Sequence, residues 1–309
     1  MNPFHWTGRI DAEETGVTTR WHHRVKPLDD RATGGVALIG FPVDEGVRRN
    51  GGRVGAADGP RAVRAALANL PIMGEPALWD AGDAGCSDGD LEAAQDKLAQ
   101  RVAAAIAQGC RPLVLGGGHE VAWGTFQGIV RARPDLQHIL VVNFDAHFDL
   151  RQAAQANSGT PFRQIAEWCH AHDRPFDYRV LGISRYANTQ ALFDRAQELN
   201  VHHAFDEDLQ TDRGVAAARD GLRTALQRCD AVYLTVCLDV LPGFQAPGVS
   251  APAALGVPLG QVLALLDTVL ACGKVVAADI AELNPNSDRD SLTAKTAARI
   301  AALIARNVR

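Results

Sequence analysis

His138-Ile139-Leu140-Val141-Val142-Asn143-Phe144-Asp145-Ala146-His147-Phe148-Asp149-Leu150-Arg151 is an apolar run that ends abruptly in charge. An extended segment places residues i, i+2 and i+4 on one face, so Asp145, His147 and Asp149 project to the same side. Three side chains able to ligate a metal then converge. Ile139 to Val142 are consecutively apolar, as in a central parallel strand covered on both faces, and such sheets collect ligands at the carboxyl ends of their strands. Each member alone has a structural reading, since Asp caps helices and His serves as a hydrogen-bonded core residue. Three at period two favour a metal site.

Working outward, the 309 residues suit one large α/β domain spanning 1–309, with residues 1–35 as a polar N-terminal extension wrapping its edge. That extension carries Trp6, Trp21 and the pair His22-His23, read as solvated. Apolar residues at 47%, charged residues at 22% and a net charge of -5 are ordinary for a soluble globular protein. No basic tract points to nucleic acid. No apolar run is long enough to span a bilayer, and the amino terminus lacks the pattern of a secretory signal. The six cysteines, at 86, 110, 169, 229, 237 and 272, form no C-x-x-C pair, which suits a reducing cytoplasm.

Val36 to Phe41 reads as the first buried strand, followed by a glycine-rich, arginine-bearing loop over 42–60. Glycine lets backbone approach a ligand and Arg presents a planar fork to carboxylates, so Arg53 is a candidate for the mouth of a site, with a solvated surface pair as the alternative. Asp58 is placed to cap the next helix. Further strands are expected at Ala77–Trp79, Pro112–Leu115, Tyr178–Ile183, Val201–Phe205, Ala231–Val240 and Lys274–Ile280, with amphipathic helices between most of them. Alternation of this kind means a parallel sheet between helical layers. Pro112–Leu115 runs into Gly116-Gly117-Gly118-His119-Glu120, where three glycines allow neighbouring strand ends to approach and leave the imidazole free to reach inward. Asp239 is the one carboxylate of Ala231–Val240, and Cys237 shares its face. Arg151, Arg163 and Arg185 lie near strand ends, and Asp279 and Glu282 close the last strand.

Gly116-Gly117-Gly118-His119-Glu120, Asp145-Ala146-His147-Phe148-Asp149, Cys237-Leu238-Asp239 and Asp279-Ile280-Ala281-Glu282-Leu283-Asn284-Pro285 together resemble the ureohydrolase superfamily of arginases, agmatinases and formimidoylglutamases. The motifs stand in the superfamily's order over most of the chain. The resemblance implies an arginase-like three-layer α/β/α fold with a mostly parallel sheet of about eight strands. It also implies a binuclear manganese (Mn2+) centre held by His119, Asp145, His147, Asp149, Cys237 and Asp239. Within the superfamily the chain is most similar to the formimidoylglutamases, through Ser158-Gly159-Thr160-Pro161-Phe162-Arg163, Gly182-Ile183-Ser184-Arg185-Tyr186 and Ala246-Pro247-Gly248-Val249-Ser250-Ala251-Pro252. Arginases and agmatinases usually have His where Ser158 stands.

That branch hydrolyses N-formimidoyl-L-glutamate to L-glutamate and formamide in histidine degradation, using a metal-activated hydroxide. Glu282 would hold the cationic formimidoyl group and Asp149 would relay the proton, as the catalytic pair. A substrate with two carboxylates suits a pocket edged by Arg151, Arg163, Arg185 and Arg53. The alternatives are a guanidino-acid hydrolase releasing urea and a ureohydrolase-fold binding protein without turnover. Members are often homo-oligomers, though no separate interface signal stands out here. One position departs from the pattern: Cys237 replaces an Asp that usually bridges both metals. It is either a thiolate ligand or a neutral buried strand residue, and both readings stand at this point.

Overall fold

The computed structural model describes residues 4–72, 74–85 and 88–307, so Cys86 lies outside the described residues. Its strands are β1 (Lys26–Pro27), β2 (Val36–Gly40), β3 (Leu78–Asp83), β4 (Arg111–Leu115), β5 (Ile139–Phe144), β6 (Asp177–Ile183), β7 (His202–Phe205), β8 (Ala231–Cys237) and β9 (Val275–Ala281). The helices begin with α1 (Trp21–Arg24), α2 (Glu45–Arg49), α3 (Gly59–Ala68), α4 (Leu91–Ala107) and α5 (Val121–Ala132). They continue with α6 (Pro161–Ala171), α7 (Gln190–Glu198), α8 (Asp212–Arg228), α9 (Leu259–Leu270) and α10 (Leu292–Arg306).

One sheet runs in the order β1-β3-β2-β4-β9-β8-β5-β6-β7, and every strand pair in it is parallel. The strand beyond the expected eight is the two-residue β1 at the edge, too short to show any periodicity. β2, β5 and β8 are buried along their whole length, which is why they read as unbroken apolar runs. Apolar residues of α3, α8, α9 and α10 share one core on one face, and those of α4, α5, α6 and α7 share another on the opposite face. This is the three-layer α/β/α arrangement. No helix among the described residues is long and apolar enough to cross a membrane.

The order of strands positions the site. After β4 the chain crosses to β5, and the two places left between them are filled later by β8 and β9. The carboxyl ends of β4, β9, β8 and β5 therefore stand side by side at a topological switch, where open α/β sheets hold their ligands.

Three local expectations are corrected. The segment 42–60 is not wholly irregular: α2 forms within it, with Glu45 accepting from Arg48 Nε at 2.6 Å and from Arg49 Nε at 3.0 Å. Asp58 makes no side-chain cap, because Ala56–Asp58 is a 3-10 turn; Asp44 Oδ2 instead accepts from the amides of Gly55 and Ala57 at 2.6 and 3.3 Å. Of the His pair read as solvated, His23 is exposed as expected, its Nδ1 accepting from the Arg20 amide at 3.1 Å, while His22 is half-buried with Nδ1 2.7 Å from Ala68 O.

Candidate metal centre

The four central strand ends surround a cavity of about 150 Å³ lined by His119, His147, Asp149, Cys237, Asp239 and Glu282, with Asn50, Gly52, Arg151, Ser158, Ser250 and Ala251 at its walls. His119 arrives on the turn after β4. The glycines before it matter because the neighbouring chain ends close on them: Gly118 N donates to Val43 O at 3.0 Å, Glu282 N donates to Gly117 O at 2.8 Å, and a Cβ on Gly117 would collide with Val43 O. β4 and β9 are clasped further by His119 N, which donates to Glu282 Oε1 at 2.9 Å.

The central motif converges by a route other than strand period. β5 ends at Phe144, and Asp145, His147 and Asp149 lie on the turns beyond it. Asp145 Oδ1 accepts from the His147 amide at 2.7 Å, folding the chain back, and Asp149 sits in the left-handed region at φ 49°. Glu282, at φ 72°, is also left-handed. A non-glycine residue pays for that conformation, and such residues concentrate where side chains must be aimed for function. Asp239 likewise leaves its strand: Leu238–Val240 is a 3-10 turn, and Asp239 Oδ2 reaches His147 Nδ1 at 3.1 Å.

Two groups of metal-ligating atoms result, His119 with Asp145 and Cys237, and Asp145 with His147 and Asp239, each set lying within 4.8 Å of one another. No other such group occurs among the described residues. His119 Nδ1 stands 2.9 Å from Asp145 Oδ2 and 2.9 Å from Asp149 Oδ2 yet makes no hydrogen bond, and Asp239 Oδ1 is also buried without a partner. Buried polar atoms are normally satisfied, so orphaned ligand atoms turned toward one another fit a cation between them. The oxygen and imidazole donors suit a hard or borderline divalent ion.

The electrostatics agree. Burial pushes the His119 imidazole down, but the Asp145 and Asp149 carboxylates outweigh it and hold the group well above its ordinary value. His147 is raised in the same way, burial being overcome by Asp239 and Asp145. Burial, then the Glu120 and Asp239 charges, push Glu282 up to about 8. Burial, then Asp145, raise Asp149. Burial lifts Cys237 well above the usual thiol range, with Asp145, Asp239 and Glu282 adding to it. A cavity that holds protons this strongly has room for positive charge.

Of the four arginines considered, Arg151 lines the cavity. Arg163 turns away, donating from Nε to Arg151 O at 2.8 Å and pairing with Glu167. Arg185 pairs with Glu207 at 3.1 Å and lies over the Phe205 ring. Arg53 braces the loop that forms a cavity wall, donating to Ser250 O at 2.8 Å and Val249 O at 2.5 Å. Sequence reasoning met Ser250 only within the 246–252 motif and did not single out Asn50. Asn50 Nδ2 donates to Ser158 Oγ at 3.1 Å, tying two walls together, and nothing in the local pattern of 42–60 marks it out.

Known proteins share this architecture. The Arginase family model matches residues 34–305. A formimidoylglutamase of Chromobacterium violaceum is 52% identical over 304 residues, covering 98% of each chain. The crystal structure of Trypanosoma cruzi formiminoglutamase with Mn2+ superposes with a TM-score of 0.78 at 28% identity, over 89% of this chain and 94% of that one. The formimidoylglutamase of Bacillus subtilis shares the fold at a TM-score of 0.83 and 22% identity, over 97% and 96%. Since the matched span contains all four strand ends that build the cavity, the chain belongs to the arginase family.

Proposed function

We infer that the chain is a metal-dependent hydrolase of linear amidines that converts N-formimidoyl-L-glutamate and water to L-glutamate and formamide, a step of histidine degradation. The observation that carries this reading is the cavity itself: buried metal-ligating atoms face one another in two sets, Glu282 stands beside them, and an arginine waits at the rim. The 52% identity to the Chromobacterium violaceum formimidoylglutamase supports the choice of substrate within the family.

His119, Asp145, His147, Asp149, Cys237 and Asp239 would hold a pair of divalent ions, and manganese is supported by the Trypanosoma cruzi relative. When bound, such a pair lowers the pKa of water and makes it nucleophilic near neutral pH. The remaining work falls to side chains. Glu282 accepts hydrogen bonds from the terminal nitrogen of the cationic formimidoyl group and turns its carbon toward the carboxylate cluster. Burial and neighbouring anions are what raise this carboxyl, and cations brought into the cavity offset both, so it is ionised when substrate is present. Water adds to the formimidoyl carbon. The bond from that carbon to the glutamate nitrogen then breaks, and Asp149, which lines the cavity 2.9 Å from His119 Nδ1, passes the proton it takes from that water to the departing nitrogen.

Substrate carboxylates are held at the rim. Arg151 meets one directly by charge-assisted hydrogen bonds. Arg53 and Arg163 act through the backbone they brace, at Ser250 and at Arg151, whereas Arg185 is engaged by Glu207. The test is turnover of N-formimidoyl-L-glutamate by chelated protein after addition of manganese, with glutamate and formamide followed together. Equal, metal-dependent release of both is expected. Urea released from a guanidino acid, with no formamide from this substrate, would overturn the reading.

A further inference from the structure

The two sets of ligating atoms differ in chemical character. His119, Asp145 and Cys237 offer nitrogen, oxygen and sulfur, whereas Asp145, His147 and Asp239 offer nitrogen and oxygen alone, and Asp145 is common to both. Cys237 is the last residue of β8, held in register opposite Ala281 of β9 and 1% exposed. Its place is therefore set by two paired central strands. A buried cysteine by itself is an ordinary core residue. Here a second observation points to a ligand: His119 Nδ1, buried and without a hydrogen-bond partner, belongs to the same set. The other nitrogen of that ring, Nε2, meets Thr235 Oγ1 at 3.0 Å, which leaves Nδ1 free to ligate.

Sulfur binds zinc and ferrous or cobaltous ions in preference to manganese, while a carboxylate-rich set accepts manganese readily. We propose that the centre takes two unlike ions, a thiophilic one such as zinc or ferrous iron at His119–Asp145–Cys237 and manganese at Asp145–His147–Asp239. This rests on the metal-hydrolase reading above and adds to it that the two positions are inequivalent. Asp145, shared by both sets, is the group through which they communicate.

Cobalt(II) titrated into the chelated full-length protein tests the thiolate directly. Sulfur bound to cobalt gives an intense near-ultraviolet charge-transfer band that oxygen and nitrogen ligands do not. The wild type should bind two cobalt ions, only one of which contributes the band, and Cys237→Asp should bind two without it. In a second measurement, the wild type equilibrated with zinc and manganese should retain one of each. In Cys237→Asp the zinc-over-manganese preference should fall by roughly tenfold or more. Two cobalt ions without the band in the wild type, no cobalt bound at all, or retention of two like ions from the mixture would overturn the proposal. Turnover of N-formimidoyl-L-glutamate, followed in the cobalt-loaded protein and in the protein equilibrated with zinc and manganese, separates the two ideas. A band without turnover removes the reaction and keeps the ligand, while turnover without a band does the reverse.

Discussion

At the scale of single residues, the proposed reaction assigns catalysis to Glu282 and recognition to Arg151, both of which line the cavity. Glu282 holds a strained backbone at φ 72°, accepts from the His119 amide and faces the cavity, so its carboxylate is aimed before substrate arrives. Glu282→Gln keeps the shape and removes the charge. It should lower kcat by about 100- to 1,000-fold while the bound-metal count stays unchanged, as judged by steady-state kinetics beside metal analysis. Arg151→Ala should cost about 1.5–3 kcal/mol of substrate binding, read chiefly as a higher KM. Arg185→Ala, whose guanidinium is already occupied by Glu207 and Phe205, should leave KM within about twofold of wild type. Sequence could mark these arginines as cations near strand ends. The i,i+4 spacing of Arg163 and Glu167 within α6 is local, but the Arg185–Glu207 pair joins residues 22 positions apart and depends on the folded molecule.

At the scale of elements, the cavity depends on where strands stop. Asp145, His147 and Asp149 read as one extended face, but β5 ends before them and the turn at Asp145 is what brings them to the cavity. The glycines after β4 were legible as a site of close approach, and Val43 O and the Glu282 amide are what approach. β8 and β9 contribute a device that spans both strands. Thr235 and Asp279 are register partners, Thr235 meets His119 Nε2 at 3.0 Å, and Tyr233 OH donates to Asp279 Oδ2 at 2.5 Å. Thr235 thereby orients the His119 ring, and Asp279 lies beside Thr235 in register. Thr235→Val and Asp279→Asn should each weaken metal binding at the His119 position by about 10- to 100-fold. Competition against a chelator checks this, and Thr235→Ser, which keeps the hydroxyl, should restore the affinity.

For the whole molecule, the carboxylates and imidazoles around the cavity couple metal, protons and stability. Glu120 and Glu282, pushed up from 4.5 to about 7 and about 8, and His119 and His147, raised above 6.5, all hold protons more tightly folded than unfolded. Each contributes stability that is fully present below its unfolded value and is lost as pH rises through its folded one. Metal-free protein should therefore lose thermal stability as pH rises from 4.5 to about 8, measured as a falling Tm. Saturating divalent metal should reverse that slope, because the ions replace the protons and bind more tightly as the ligands lose them. A Tm in the absence of metal that is flat or rising across this window would show that the cavity does not dominate the response.

The chain by itself determined the alternation of apolar strands and amphipathic helices, the residue types at each strand end and the order of the motifs. Those are properties of short windows, in which side-chain period and composition act through nearest neighbours. The tertiary structure decided that β4, β9, β8 and β5 are adjacent, that Arg151 alone among the four arginines reaches the cavity, and that Cys237 joins His119 and not His147. These depend on contacts between residues far apart in the chain, such as the His119 amide and the Glu282 carboxylate 163 positions later. Local pattern carries no record of such pairings, because they arise only when the helical layers close on both faces of the sheet and bring its strand ends together.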